Sequence, residues 1–512
     1  MVVLVWDGLR PDFVTEQTTP TLWKLAMGGV TFANHHSAYI TTTEVNGAVL
    51  ATGVYPEQDG LVANDEYRPA IAPLKPIMTG DFKAVRRGDE LSGNHFLRVP
   101  TVAEILHAQK RPTAIAGAKS VALLHDRHAG TDSSLGVDVF EGKVVPESCA
   151  AKLKAALGKF PPSGLPKRER DRWTTQALVG PLWEERVPPF SLLWLSEPDN
   201  SQHETGPGSK TSRQALHSSD DNLALVLDAL AHKGLRDQTD VIIVSDHGFS
   251  TITRSANVPA VLKQNGFAAV RRFTNEAQRA SAILVVASGG TVLLYVPGHD
   301  PALTEKVVHC LQAQPFTGVL FARQPVQGAF TLAQAKLKSL DAPDIVLSLR
   351  WNADKNKHGA PGLLFSDESS RKPGDGMHGS LSRFDLHNTA IAAGPDFRPG
   401  FRDNLPTGNV DVAANVLWLL GVEREGQTNG IQWKLSGRVW NEALVPSGLP
   451  APLVTPRRLE AKFAGSDFAW RQYLDYSEVG GAIYLDEGNG EQTRNSQAEI
   501  RTPRAQAANH RQ

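Results

Sequence analysis

The strongest constraint on the fold is an alternation of short apolar runs with segments of helical periodicity. The runs "VVLVWDG", "FSLLWLSEPD" and "DVIIVSDHG" are almost uninterrupted and end in acidic or other polar residues. Between them, "TPTLWKLAMGG", "TVAEILHAQ" and "DNLALVLDALAHKG" repeat apolar residues every three or four positions. Continuous apolar runs are typical of parallel strands that are buried on both faces. The alternation therefore predicts an α/β fold with a mostly parallel central sheet between helices.

The pattern changes after Ser250, which predicts further divisions of the chain. Residues 251–370 form a self-contained block, predicted to be a small α/β insertion in a principal domain of residues 1–440. The core pattern resumes at "DGMHGS". Residues 441–491 are predicted to be a C-terminal extension of short strands packed on the core. The polar residues 492–512 are predicted to be a disordered tail.

Composition and charge exclude some classes of partner. With 53 basic and 54 acidic residues, the net charge of −1 gives no reason to expect nucleic acid or an anionic membrane. No apolar run reaches the roughly 18 residues of a membrane span. The two cysteines, Cys149 and Cys310, are too few for a disulfide scaffold and do not form a metal-type pair. No signal peptide is recognised in this sequence, so it does not fix the localisation.

Aspartate and histidine residues lie at the ends of the predicted strands or in adjoining loops. In an open α/β sheet, ligands bind outside the carboxyl ends of the strands, so these residues can meet at one site. Carboxylate and imidazole ligands suit zinc-like ions, which bind about four of them each. Any one of these residues alone is explained as well by a turn, a helix cap or a solvated side chain. The set is Asp7, Asp199, His203, Asp246, His247 and His378.

Taken in order, these motifs resemble a known family. The Asp-Gly at 7, Thr-x-x-Asn at 43, "ATGVYPE", Asp-x-x-x-His-x-x-x-Pro at 199, "SDHG" and His-Gly at 378 form an ordered series. It is similar to the type I phosphodiesterase/nucleotide pyrophosphatase family of the alkaline phosphatase superfamily. The resemblance covers residue 2 to about 422 and is weak across the insertion. It implies an alkaline phosphatase-like fold and hydrolysis of phosphodiester or pyrophosphate bonds in a small phosphoester substrate. It also implies a periplasmic or secreted location, with a cytoplasmic one as the alternative.

The resemblance further implies two zinc ions and a phospho-threonine intermediate. Carried over position by position, the ligands are Asp199, His203 and His378 for one ion, and Asp7, Asp246, His247 and the nucleophile for the other.

The nucleophile of the family lies three residues before an asparagine, which selects Thr43 rather than Thr41 or Thr42. Thr43 is expected at a helix N-terminus, where partial positive charge and free N–H groups favour a phosphoryl group. Asn46 lies one helical turn later, and its amide is expected to donate to the same phosphate.

The residue after the nucleophile departs from the family pattern. Nucleotide pyrophosphatases are expected to carry an aromatic residue there, stacked on the nucleobase, whereas this chain carries Glu44. An acid cannot stack and would repel a second phosphate nearby. Glu44 is explained equally well as an acid favoured in the first turn of a helix. In either case a nucleotide is a less secure substrate.

Three other functions stay open. Phosphonoacetate hydrolase shares the Thr-x-x-Asn arrangement and the ligand set. A phosphomonoesterase would need a fixed cation for the phosphate dianion, for which Arg10 and Lys119 are candidates. A catalytically silent relative could bind a ligand in the same cleft. A sulfatase is excluded, because no Cys/Ser-x-Pro-x-Arg motif surrounds Thr43. The oligomeric state is not predicted.

Overall fold

The structure is a computed structural model that describes residues 1–127, 133–446 and 451–494. Nine strands of these residues form the central sheet. Ala390–Ala393 and Lys143–Val145 run antiparallel to their neighbours, and the other strands share one direction. The predicted α/β fold with a mostly parallel sheet is confirmed. From edge to edge the strands are Phe401–Gly408, Val30–His36, Ala390–Ala393, Val241–Val244, Val2–Trp6, Phe190–Leu195, Thr113–Gly117, Gly136–Phe140 and Lys143–Val145.

Helices cover both faces of this sheet, which explains the uninterrupted apolar runs. Successive side chains of a strand point to opposite faces. Val3 and Val5 of the strand Val2–Trp6 pack in one buried cluster with the helix Thr43–Thr52. The alternate side chains of the same strand pack in a second cluster with the helix Lys210–His232. Both faces of the strand are therefore buried.

The α-helices differ widely in length. No helix within the described residues is both long and apolar enough to cross a membrane. Their bounds are Pro20–Gly28, Thr43–Thr52, Pro56–Asp59, Phe82–Ser92, Val102–Ala108, Ala150–Leu157, Arg168–Ala177, Asp199–Thr205, Lys210–His232, Val258–Gln264, Glu276–Arg279, Pro301–Gln312, Arg383–Leu386 and Asn409–Leu419.

Two further sheets involve residues 250–377. Ser250 pairs with Met377 in the smaller one, so the chain leaves the core and returns to it side by side. The division of the chain at 251 and 370 stays a prediction. The larger sheet contains Ala269–Val270, Ile283–Ser288, Thr291–Tyr295, Ile345–Leu349, Thr317–Ala322 and Phe330–Thr331. The smaller one contains Trp351–Lys355, Pro361–Ser366, Ser250–Ser255 and Gly376–Met377.

The last three strands of the described residues form a C-terminal antiparallel sheet. Its buried Leu474 packs in one cluster with Tyr39 and Ile40. The predicted tail boundary at 492 falls inside its last strand, and residues 495–512 lie outside the described residues. The strands of this sheet are Val454–Ala464, Phe468–Val479 and Ala482–Arg494. Two short hairpins pair Asp65–Glu66 with Ile77–Met78 and Glu425–Thr428 with Ile431–Lys434.

Candidate metal centre

Three neighbouring parallel strands bring most of the predicted ligands to one edge of the central sheet. The strand Val2–Trp6 lies between Phe190–Leu195 and Val241–Val244 and is parallel to both. Asp7 directly follows the first of these strands. Since the carboxyl ends of parallel strands share an edge, the segments after all three strands meet there.

The first group of ligand atoms contains Asp199, His203 and His378. Asp199 and His203 lie one turn apart on the helix Asp199–Thr205, so both side chains share a face. Nε2 of His203 lies 3.2 Å from Oδ1 of Asp199 and 3.2 Å from Nε2 of His378. Nε2 of His378 lies 3.5 Å from the same carboxylate oxygen. These separations match the edges of a tetrahedron around an ion with bonds of about 2.0–2.2 Å.

The second group contains Asp7, Asp246, His247 and Thr43. Nε2 of His247 lies 3.2 Å from Oδ2 of Asp246 and 3.7 Å from Oδ1 of Asp7. Oγ1 of Thr43 lies 3.3 Å from the same nitrogen. The rings of His247 and His378 stack with centroids 3.6 Å apart, so the two groups are adjacent. The structure thus brings together all seven side chains that the resemblance implied as metal ligands.

Contacts behind the ligands fix which atoms face the site. Each of the three histidines donates its Nδ1–H to a backbone carbonyl, since a carbonyl can only accept. The pairs are His203 with Gly376 at 3.0 Å, His247 with Gly248 at 2.9 Å and His378 with Thr41 at 2.8 Å. The Nε2 lone pairs are therefore directed inward, as in metal sites with a hydrogen-bonded outer shell.

Hydrogen bonds also hold one oxygen of the Asp246 carboxylate and one of the Asp7 carboxylate. Oδ1 of Asp246 accepts the backbone N–H groups of Gly8 and His247, each at 3.0 Å. Oδ2 of Asp7 accepts the indole N–H of Trp194 at 2.8 Å. One oxygen of each carboxylate is left buried without a hydrogen-bond partner among the described residues, which is costly unless a cation binds it. These atoms are Asp7 Oδ1, Asp199 Oδ1 and Asp246 Oδ2.

Burial shifts the pKa values of the side chains at the site so that the charged form of each of these groups is disfavoured. Burial, with the neighbouring Asp246 carboxylate, raises the pKa of Asp7 well above its ordinary value. Burial raises the pKa of Asp246 to about 7. Burial also lowers the pKa of His247, and that of His378 well below its ordinary value. Divalent cations would stabilise the ionised carboxylates and the neutral imidazoles together, so the donor set fits a metal centre.

Lys119 lies between the two groups. Its Nζ is 2.9 Å from Oδ2 of Asp7 and 2.8 Å from Oδ2 of Asp199. Burial alone would raise the pKa of Asp199, but the Lys119 ammonium holds it well below its ordinary value. Arg10, the other candidate cation, is bound to Asp12 and to two backbone carbonyls instead. Both cations are therefore already paired with groups of the chain.

The hydrogen bonds of Asn46 do not fit its predicted role as a donor to the phosphate. Its side chain is buried, and its amide nitrogen donates to the backbone carbonyls of Ala38 at 3.0 Å and Thr42 at 3.2 Å. Its Oδ1 accepts the N–H of Ala38 and the amide of Asn409. Both amide hydrogens have backbone acceptors, so Asn46 is not free to donate to a phosphate. It holds the loop that leads to Thr43.

A different asparagine, Asn64, lies beside the helix Thr43–Thr52. Its Oδ1 accepts the N–H of Glu44 at 2.9 Å, and its NH₂ group has no hydrogen-bond acceptor among the described residues. The sequence offered no signal for Asn64, because no motif of the ordered series contains it and only folding brings it to this helix.

Glu44 is half-buried, and its carboxyl group lies beside Gly80. Its Oε2 is buried without a hydrogen-bond partner among the described residues. A Cβ at Gly80 would come within 2.8 Å of Oε1 of Glu44, so the glycine leaves room for the carboxyl group. Burial raises the pKa of Glu44 to about 7, although the Lys119 ammonium acts in the opposite direction.

The fold is alkaline phosphatase-like, and one edge of its central sheet carries two groups of side chains that could hold metal ions. The family model of type I phosphodiesterase/nucleotide pyrophosphatase matches residues 1–380, and the chain belongs to this family. The family resemblance of the sequence is confirmed. Murine ectonucleotide pyrophosphatase/phosphodiesterase 5 has the same fold, with a TM-score of 0.59 at 16% identity. The match covers 87% of this chain and 99% of that one, which is an inactive variant in complex with AMP.

Curated relatives match about half of the chain. Rat ectonucleotide pyrophosphatase/phosphodiesterase family member 1 is 26% identical over 244 residues, which are 47% of this chain and 23% of the relative. The bis(5'-adenosyl)-triphosphatase of mouse is 25% identical over 258 residues, which are 50% of this chain and 48% of the relative. The match therefore spans less than half the length of either curated relative.

Proposed function

We propose that the chain is a zinc-dependent hydrolase of phosphodiester or pyrophosphate bonds that acts through a phospho-threonine intermediate. The observation that carries the proposal is the position of the Thr43 hydroxyl. Thr43 begins a helix, and its Oγ1 lies 3.3 Å from Nε2 of His247. Membership of the family and the names of the relatives support a phosphoester substrate.

Each side chain of the centre has a role in this proposal. One zinc ion would be held by Asp199, His203 and His378, and the other by Asp7, Asp246, His247 and Thr43. Zinc bound there would act as a Lewis acid that lowers the pKa of the threonine hydroxyl and neutralises phosphoryl charge. Nitrogen and carboxylate donors in this number suit zinc better than magnesium or calcium, which prefer oxygen ligands alone.

The chain's own groups then account for the reaction. Oγ1 of Thr43 attacks phosphorus, the bond to the leaving oxygen breaks, and the phosphoryl group is carried on the threonine. The N-terminus of the helix Thr43–Thr52 directs positive partial charge at the phosphoryl oxygens. Attack of water on phosphorus then breaks its bond to Oγ1 of Thr43, restores the hydroxyl and releases the rest of the substrate as a phosphate monoester, which is p-nitrophenyl phosphate when the substrate is bis-p-nitrophenyl phosphate.

Replacing Thr43 tests the proposal directly. Thr43→Ala should reduce turnover of bis-p-nitrophenyl phosphate by at least about 10³-fold, because the nucleophile is lost. Its zinc content should stay near that of the wild type, since three ligands remain at that ion. Thr42→Ala is the matched control: the Thr42 hydroxyl is buried without a hydrogen-bond partner among the described residues, and its loss should leave turnover nearly unchanged.

Full activity of Thr43→Ala would refute the threonine nucleophile. The same assay with p-nitrophenyl phosphate and phosphonoacetate tests the alternatives. We expect the diester to be preferred, because Lys119 is already bound to two carboxylates and offers no free cation for a dianion. A strong preference for either alternative substrate would contradict the proposed reaction. No activity and no bound zinc in the wild type would favour a silent relative.

A further inference from the structure

A third group of metal-type side chains shares no residue with the candidate centre. It consists of His36, His387 and Asp486, which we term the junction cluster, and their ligand atoms lie within 4.8 Å of one another. His36 ends a strand of the central sheet, and His387 follows the helix Arg383–Leu386. Asp486 belongs to the last strand of the C-terminal sheet. The cluster thus joins three segments that are far apart in the sequence.

The hydrogen bond from Nδ1 of His36 to the backbone determines that an Nε2 atom without a hydrogen faces Asp486 in the neutral ring. Nδ1 of His36 lies 3.0 Å from the carbonyl oxygen of Thr407 and must donate its hydrogen to it. In the neutral ring, Nε2 then carries a lone pair, and it lies 2.9 Å from Oδ1 of Asp486. Two acceptors face each other at this distance, so a proton or a cation has to lie between them.

Hydrogen bonds around the cluster orient His36 and Asp486. A backbone carbonyl orients His36, as it orients each histidine of the candidate centre. The hydroxyl of Ser477 donates to Oδ2 of Asp486 at 2.9 Å and leaves Oδ1 for the cluster. The ring of His387 lies 4.3 Å from that of His36, between centroids. Outer contacts of this kind fix the direction of metal ligands.

We propose that His36, His387 and Asp486 bind a third divalent cation of the zinc type, which links the C-terminal sheet to the central sheet. Two imidazoles and one carboxylate are a donor set that zinc accepts, and a water can complete the tetrahedron because Asp486 is 25% exposed. The nitrogen and oxygen that are 2.9 Å apart would separate to about 3.3 Å around the ion. Binding would stabilise the folded chain, since the three segments meet only when it is folded.

The test compares two neighbouring carboxylates of the same strand. Asp486→Asn removes a ligand of the cluster, whereas Glu487→Gln removes a carboxylate that accepts from Tyr473 and pairs with Arg383. After zinc loading and dialysis, elemental analysis should find one equivalent less in Asp486→Asn than in the wild type and in Glu487→Gln. Equal zinc in all three proteins would overturn the proposal and leave a hydrogen bond between His36 and Asp486 as the explanation of their contact. The difference does not depend on whether the candidate centre binds metal, so the two proposals can fail separately.

A second measurement uses the unchanged chain, in case Asp486→Asn does not fold. Diethyl pyrocarbonate modifies accessible imidazole nitrogens, and peptide mass spectrometry reports the modification of His387. Zinc bound at the cluster should reduce this modification at least about fivefold relative to the zinc-free chain. Equal modification with and without zinc would contradict the proposal.

Discussion

The hydroxyls of Thr41, Thr42 and Thr43 have different surroundings although they are consecutive. Thr41 donates to the carbonyl of Ser380, and its own carbonyl orients the candidate ligand His378. Thr42 precedes the helix and has no hydroxyl partner among the described residues. Thr43 begins the helix and faces the nitrogen of a candidate ligand. The register set by the helix N-terminus therefore decides which hydroxyl can serve as a nucleophile.

We expect the negative charge of Glu44 to lower the activity on substrates that carry a second phosphate group. Two like charges about 10 Å apart repel by roughly 1.7 kcal/mol at an effective dielectric constant of about 20, which corresponds to more than a tenfold rate effect. We expect Glu44→Gln to raise kcat/KM for ATP roughly tenfold relative to bis-p-nitrophenyl phosphate at pH 8. At pH 6 the gain should shrink, because Glu44 with a pKa of about 7 is then mostly neutral in the wild type.

A control variant separates local from general charge effects. Glu16→Gln removes the same charge from an exposed side chain and should leave the ratio of the two kcat/KM values unchanged. An unchanged ratio in Glu44→Gln as well would show that Glu44 does not act on the substrate, and the first-turn helix acid would then be its sufficient explanation.

At the scale of elements, the helix Arg168–Ala177 supports the loop that leads to Asp199. Oδ1 of Asp171 accepts the N–H of Ser196 at 2.7 Å and its hydroxyl at 2.9 Å. The other oxygen of this carboxyl is buried without a hydrogen-bond partner among the described residues. Burial, with the neighbouring Glu197 carboxylate, raises the pKa of Asp171 to about 8. The helix therefore holds the loop through a carboxyl group that is protonated in the folded chain at neutral pH.

This raised pKa predicts how stability changes with pH. Between about pH 4 and pH 8 the unfolded chain loses the Asp171 proton and the folded chain keeps it, so the free energy of unfolding falls as pH rises. Asp171→Asn lacks this ionisation. Its stability relative to the wild type should therefore increase from pH 5 to pH 8, by up to about 4 kcal/mol.

Urea unfolding of both proteins at pH 5, 6.5 and 8 measures this difference, in which the titration of all other groups cancels. The smallest difference is expected at pH 5, about 1.5 kcal/mol, because the unfolded wild type has lost its proton over only about one pH unit, and the amide of the variant and the protonated carboxyl offer the same acceptor to Ser196. A difference that stays constant from pH 5 to pH 8 would show that Asp171 is ionised in the folded chain.

At the scale of the whole molecule, the central sheet and most residues of the candidate centre could be predicted from the sequence. Strands that are buried on both faces leave uninterrupted apolar runs, and polar residues directly after such runs have few roles other than turns and ligands. Asp7, Asp246 and His247 were predictable for this reason. The family resemblance added Thr43, because it supplied the spacing to Asn46.

The contacts that only tertiary packing creates were not predictable. The spacing of Asn46 from Thr43 cannot show that its amide is occupied by the carbonyls of Ala38 and Thr42. Asn64 lies outside every motif, and the three residues of the junction cluster are brought together from distant segments. A one-dimensional pattern records which face a residue occupies, but not which other segment reaches that face.

The C-terminal sheet should unfold together with the rest of the chain, because its contacts reach the strand Thr317–Ala322 of another sheet and the loop that leads to Thr43. Leu474 is 0% exposed and packs with Ile40, while the side chain of Gln472 bonds both backbone groups of Leu320. Leu474→Ala should lower the free energy of unfolding by about 2–5 kcal/mol, whereas Leu453→Ala, at an 83% exposed position, should change it little. Urea unfolding followed by tryptophan fluorescence and by far-UV circular dichroism should give coincident transitions in the variant and the wild type. An earlier, separate transition in Leu474→Ala would show that the C-terminal sheet is an independent unit, and the loop leading to Thr43 would then be supported by the core alone.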